Sequence, residues 1–219
     1  MAASINSSPI PREPNLRGQT VVVIGGSSGI GLETARLAHA HGADMILVAR
    51  DPDRVHRAGL ELAASIAAFD VTDSSRLGLF FDALPAPVDH VLVTGPGRCY
   101  AASRGFDPDA ARYDVDAHLL LPLQVARNAA GKIRPAGTML FTGSIAGRRP
   151  EAGLALAAAL TAALPAMVKS LALEVAPVRV NLIAIGCAGL ADIAALAVHL
   201  MTNTAITGAT IDIDGGQAA

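Results

Sequence analysis

Short, uniformly apolar runs alternate with longer amphipathic ones along almost the whole chain. Thr20–Ile24 (TVVVI) is β-branched and bounded by Gly18 and Gly25, the pattern of a strand buried on both faces. Beyond the glycines, Leu32, Ala35, Leu37 and Ala38 share one helical face that stops at Gly42, and residues 45–49 (MILVA) form the next apolar run. The alternation continues with strands expected at 65–69, 88–94, 137–142, 178–185 and 209–213. Helices are expected over 52–64, 74–84, 109–131, 151–175 and 191–202. Strands separated by helices predict a parallel sheet covered on both faces, because each right-handed crossover needs a helix to return the chain. The expectation is a single doubly wound α/β domain of Rossmann type.

Composition narrows the partners. A chain of 219 residues with 52% hydrophobic and 16% charged residues can bury a large core as one domain. A formal charge of -2 gives no basic surface for nucleic acid or an anionic membrane, so a small molecule or another protein is expected. Cys99 and Cys187 make neither a disulfide framework nor a metal spacing, which fits a reducing cytoplasm. Residues 1–16, polar and broken by Pro9, Pro11 and Pro14, read as a flexible leader ahead of a domain at 17–219. No apolar stretch spans a bilayer without a breaker or a charge.

Residues 24–31 read Ile-Gly-Gly-Ser-Ser-Gly-Ile-Gly. Gly25, Gly29 and Gly31 fall where a strand turns into a helix, so the backbone can approach a pyrophosphate and offer it N–H groups at the positive end of the helix. A mere tight turn would use the same residues, but the placement after the first strand favours a dinucleotide loop. Arg50 lies 21 residues beyond Gly29, about where the ribose is read, and an arginine there favours a 2′-phosphate: NADP(H) over NAD(H). Arg54, one helical turn on, reads equally as a second arm or as an exposed arginine on a solvated helix.

With these residues in place, the chain resembles the short-chain dehydrogenase/reductase family over roughly residues 17–216. Val23 to Gly31 is similar to that family's glycine signature, with Ile24 where threonine is usual, and Ser27, Ser28 and Ile30 fill its cofactor-lining positions. Asp70-Val71 matches the adenine-contacting pair, Arg179-Val180-Asn181 the sixth-strand motif, and Ile206-Thr207-Gly208 through Asp214-Gly215-Gly216 the last strand. The motif Asn-Asn-Ala-Gly after the fourth strand is here Thr94-Gly95-Pro96-Gly97. Its backbone shape is expected to persist without the side-chain amides.

The resemblance implies a catalytic serine, a tyrosine thirteen positions later and a lysine four beyond that. Ser144 occupies the serine position, and the alternative is a strand-end serine capping its own backbone. The tyrosine and lysine positions hold Ala157 and Thr161, and no tyrosine or lysine lies between Ser144 and Val168. The family's helix asparagine falls on Asp116. The replacement candidate is Tyr100, just past Gly97, which either faces the nicotinamide or packs; Tyr113 is a weaker candidate, and His118 reads as an exposed or interface histidine rather than a shuttle. Ile185-Gly186 runs through Cys187-Ala188-Gly189 straight into the next helix, with no room for the family's substrate lid. An open cleft follows, or one covered by a neighbouring subunit.

Three readings follow. The first is an NADP(H)-dependent oxidoreductase of non-standard mechanism, moving hydride to a small carbonyl, imine or enone. The second is a cofactor-binding pseudoenzyme acting as sensor or structural subunit. The third, weaker, is non-redox chemistry on a reused Rossmann fold. A homodimer or homotetramer is expected through the helices at 109–131 and 151–175, which the resemblance places at a two-fold interface.

Overall fold

A computed structural model describes residues 15–84, 87–95, 105–149 and 151–216. The elements run β1 Thr20–Ile24, α1 Gly29–Ala40, β2 Asp44–Ala49, α2 Pro52–Glu61, β3 Ser65–Ala68, α3 Ser74–Ala83, β4 Val88–Val93, α4 Pro108–Val115, α5 Leu121–Ala129, β5 Ile133–Ser144, α6 Ala155–Glu174, β6 Arg179–Ile185, α7 Leu190–Thr202 and β7 Thr210–Ile213. All seven strands pair in parallel in the order β3-β2-β1-β4-β5-β6-β7.

The two-fold period of a strand explains the continuous apolar runs, because alternate residues enter different cores. Val22, Ile24, Val91, Val93, Met139 and Phe141 face Phe81 of α3, Val125 of α5 and Leu164 and Val168 of α6. Val21, Val23, Leu92, Leu140 and Ile183 face Ala35 and Ala38 of α1 and Ile193 and Ala197 of α7. Of the expected leader, residues 1–14 lie outside the described residues. Leu16 belongs to the domain: it is fully buried, and its N–H donates to the His41 carbonyl at 3.1 Å.

Two expected elements take a different form. The helix expected over 109–131 is broken into α4, a wide π-type turn at Asp116–Leu120, α5 and a short 3-10 turn at Ala130–Lys132. In the wide turn the Leu121 N–H reaches back to the Asp116 carbonyl, and Pro122, which has no N–H, cannot bond the His118 carbonyl four residues back. β5 begins four residues earlier than expected, at Ile133. Its pairing slips from Val88↔Ile133 to His90↔Thr138, so residues 134–137 bulge, with Ala136 at φ 64 and Gly137 pressed against the Asp89 carbonyl.

Among the described helices, α6 alone is long and apolar enough to cross a membrane, with a mean hydropathy of 1.7. Leu160, Leu164, Val168 and Leu171 nevertheless bury one face in the domain, and Pro165 and Lys169 interrupt the run.

One buried polar residue, unremarked in the sequence, makes stability depend on pH. His90 is 3% exposed, lies 2.7 Å from Gln19 Oε1 through Nε2, and is held neutral, its pKa pushed down to about 4 by burial and then by the charge of Arg179. The unfolded imidazole takes up its proton first, so native stability is full above pH 6.5 and drains away as the pH falls towards 4. The expected loss between pH 7 and pH 4 is about 3 kcal/mol. Urea midpoints measured across that range should fall in the wild type and stay markedly flatter in His90→Gln.

Candidate functional site

A groove of about 380 Å³ opens at the carboxyl ends of β1, β2 and β4. The glycine loop forms its floor. The N–H groups of Gly25 and Gly26 both donate to the Val48 carbonyl, at 2.8 and 3.1 Å, which pins the loop to β2. Gly25 has φ 88, and a Cβ there would run into Thr94 Oγ1; a Cβ on Gly31 would run into the Gly25 carbonyl. Loop and helix therefore approach as closely as backbone permits. Ser28 precedes α1 without capping it by its side chain, and Gly29 follows at φ 53. The first-turn N–H groups, with the positive end of the helix dipole behind them, meet the groove where Ser27, Ser28, Gly29 and Ile30 line it.

The far end of the groove is cationic. Arg50 and Arg54 line it beside Val71 and Thr72. Arg50 Nη1 donates to the Tyr113 hydroxyl at 2.5 Å, and its guanidinium stands 5.8 Å from that ring's centroid. Asp51, the only carboxylate among the described lining residues, accepts from the Arg54 N–H at 3.0 Å as the cap of α2. Asp70 stands outside the lining: its Oδ1 accepts from the Thr72 N–H at 3.0 Å and the Thr72 hydroxyl at 2.8 Å, shaping the turn that presents Val71. Thr94 ties β4 to β1, its N–H and hydroxyl both donating to the Ile24 carbonyl at 2.9 and 3.0 Å. Gly95 lines the groove next to it, while Pro96 and Tyr100 lie outside the described residues.

A second cavity of about 210 Å³ adjoins the groove, and Ile30, Gly95 and Thr142 line both. Ser144 stands at the end of β5. Its Oγ accepts from the Ala146 N–H at 3.1 Å, and the residue lines the cavity. Ala157 and Thr161 on α6 line the opposite wall, with the Thr161 hydroxyl donating to the Ala157 carbonyl at 2.7 Å. From the wide turn, the residue that reaches the cavity is half-buried His118; Asp116 is exposed and outside the lining, and Tyr113 sides with the groove. His118 is thus half-buried rather than exposed. Pro122 was the available signal, since a proline inside a helix displaces the register of the turn before it. The connection from β6 to α7 is the four residues 186–189, with Gly186 at the cavity mouth and Cys187 exposed with a free thiol.

Known proteins place this geometry. The family profile for short chain dehydrogenases matches residues 19–197. The short-chain dehydrogenase/reductase ATR9 of Stachybotrys chlorohalonatus is 31% identical over 195 residues, covering 79% of this chain and 75% of that protein. The galactitol 2-dehydrogenase (L-tagatose-forming) of Cereibacter sphaeroides is 30% identical over 244 residues, covering 92% and 95%. Among solved structures, an NADPH-bound short-chain oxidoreductase of Pseudomonas aeruginosa PAO1 with an atypical catalytic centre superposes with a TM-score of 0.87 at 22% identity, over 94% of this chain and 98% of that one. A short-chain dehydrogenase of Burkholderia cenocepacia J2315 in complex with NADP does so with a TM-score of 0.88 at 22% identity, over 94% and 100%.

Proposed function

The chain belongs to the short-chain dehydrogenase family, and from that membership we propose that it is an NADP(H)-dependent oxidoreductase with a non-standard active site. The groove holds the dinucleotide and the adjoining cavity holds a small carbonyl, imine or enone substrate. One observation carries the reading: an uncapped helix N-terminus and two arginines line opposite ends of one groove that is continuous with a cavity. Gly25, Ser27, Ser28, Gly29, Ile30 and Gly31 receive the pyrophosphate, and Val71, Thr94, Gly95 and Pro96 flank the adenosine and nicotinamide ribose. Asp70 acts through the turn it shapes. Arg50, with Arg54 beside it, takes the 2′-phosphate.

When bound, NADPH supplies a hydride. The chain's own residues position the acceptor: Ser144 offers its hydroxyl hydrogen to the substrate oxygen, and the apolar wall of α6 excludes water. Ala157 and Thr161 stand where the family's tyrosine and lysine would be, and Thr161 has its hydroxyl hydrogen turned to the backbone. Among the described residues, the short link at 186–189 supplies no lid over the cavity. A second copy of the chain covers it, in a homodimer or homotetramer built on α4, α5 and α6, and the cytoplasm is its setting.

Calorimetric titration with NADPH and NADH tests the cofactor. Removing a charge-assisted phosphate contact costs about 1.5–3 kcal/mol, so Arg50→Ala should weaken NADPH binding roughly 10- to 100-fold. NADH binding should change little, and equal losses would contradict the phosphate role. NADPH oxidation against a panel of ketones, imines and enones then separates an enzyme from a pseudoenzyme, which would bind tightly and turn nothing over.

A further inference from the structure

Hydride delivery to a neutral carbonyl leaves an oxygen that must gain a proton, and the family's donor position here is Ala157. We propose that His118 supplies that proton, and that the cavity accepts a compact, uncharged, largely apolar ketone or enone. The inference rests on the reading of the cavity as the substrate site.

The polar side chains lining the cavity divide by where their hydrogens go. The Thr142 hydroxyl donates to the Val93 carbonyl at 3.4 Å and the Thr161 hydroxyl to the Ala157 carbonyl at 2.7 Å, so both are turned to the backbone. Ser144 Oγ accepts from the Ala146 N–H and keeps its own hydrogen for a substrate oxygen, but a serine hydroxyl does not ionise near neutral pH. Among the described lining residues, His118 alone is of a type whose ring nitrogens can both hold and release a proton.

Its position suits the task. A Cβ on Gly95 would stand 3.2 Å from His118 Nδ1 and 3.3 Å from Cε1, and Gly95 borders both the groove and the cavity. The imidazole therefore stands at the junction where cofactor and substrate meet. The wide turn at Asp116–Leu120 directs it there, and turns of this kind concentrate at functional sites. Among the described residues, the elements around it send no charged or titratable side chain into the cavity: Ser144 from β5, Leu160 and Thr161 from α6, Ile185 and Gly186 from the end of β6, and Ile30 from α1. On its own segment Asp116 is exposed. A substrate bearing a charge would find no counter-charge among these groups, whereas a neutral apolar one needs none.

The step balances simply. The carbonyl carbon gains a hydride from the reduced nicotinamide, and the C=O π pair moves to oxygen. That oxygen, held by the Ser144 hydroxyl, takes a proton from the imidazolium of His118. The neutral imidazole is reprotonated from water.

The experiment uses the full chain with cyclohex-2-enone and cyclohexanone as probes. In His118→Asn and His118→Ala the NADPH dissociation constant should stay within about threefold, while kcat falls roughly 10²-fold with little change in KM. The decline of wild-type kcat with rising pH should vanish in the variants, and added imidazole should restore part of the rate in His118→Ala. In the wild type the ¹⁵N imidazole signal absent from His118→Asn should move when cyclohexanol is added. Turnover in the variants within twofold of wild type, a loss that follows Tyr100→Phe instead, or an unmoved imidazole signal overturns the role of His118 and leaves the hydride reading standing. A wild-type protein that binds NADPH but oxidises it with no probe overturns the hydride reading, and this inference with it.

Discussion

Arg179→Met is expected to destabilise the protein by roughly 3–5 kcal/mol, lowering its melting temperature on the order of 10 °C. The residue is 5% exposed and its pKa is lowered by burial, yet no carboxylate among the described residues pairs with it. Its partners are backbone carbonyls instead. Nη1 donates to Leu200 at 2.7 Å and Asn203 at 2.6 Å, Nη2 to Met201 at 2.8 Å, and Nε to Ala136 at 3.2 Å across the bulge. Three of these four carbonyls lie at the carboxyl end of α7, where a helix leaves its last acceptors without donors and carries negative partial charge. Arg179 is thus a cap reaching α7 from β6. Methionine keeps the volume and relieves the desolvated charge, but it abandons the Leu200 and Met201 carbonyls in the interior; those of Ala136 and Asn203 lie nearer water. Lysine retains the charge without the planar fork that spans four acceptors, so Arg179→Lys should recover only part of the loss. Differential scanning calorimetry of the three proteins decides the matter. Both variants melting within about 2 °C of wild type would mean that water replaces the fork without cost.

Arg179 also marks where sequence reading stops. The triplet Arg179-Val180-Asn181 was legible as a family motif, but its work was not, because its partners lie 21 to 43 residues away. Asn181 does the same for the β6–β7 crossover, donating to the Ile206 carbonyl at 2.9 Å and accepting from the Ala209 N–H at 3.1 Å. The strands were legible because burial on both faces leaves no polar position in TVVVI or MILVA, and the glycine loop because its conformation is dictated within seven residues. The wide turn had a local signal in Pro122, whereas the bulge before Gly137 escaped because it depends on a register set by a neighbour in space. In sequence the family's helix asparagine falls on Asp116, while in the fold His118 reaches the cavity. The contact of Arg50 with Tyr113, 63 residues on, escaped for the same reason.

Gly29 and Gly31 look alike in sequence, but they should differ sharply on substitution. Gly31→Ala is expected to weaken NADPH binding about 100-fold and to cost about 2–3 kcal/mol of stability even without ligand. The added Cβ meets only backbone: the Gly25 carbonyl oxygen, its carbon at 2.8 Å and Gly26 Cα at 3.3 Å. Flexible side chains could swing away, but here the loop must lift from α1, and the two hydrogen bonds to Val48 resist that movement. Lifting the loop also separates its N–H groups from those of the first helical turn, so the anion cradle loses its shape. Gly29→Ala meets nothing within 4 Å, and its cost is the left-handed backbone at φ 53, about 1–2 kcal/mol. Gly29→Asn, which tolerates that conformation, should cost less still. Urea denaturation without ligand isolates these backbone terms from any contact with the dinucleotide. Stability should fall in the order wild type, Gly29→Asn, Gly29→Ala, Gly31→Ala, and a Gly31→Ala protein as stable as Gly29→Asn would show that loop and helix are not in the close contact on which the cradle depends.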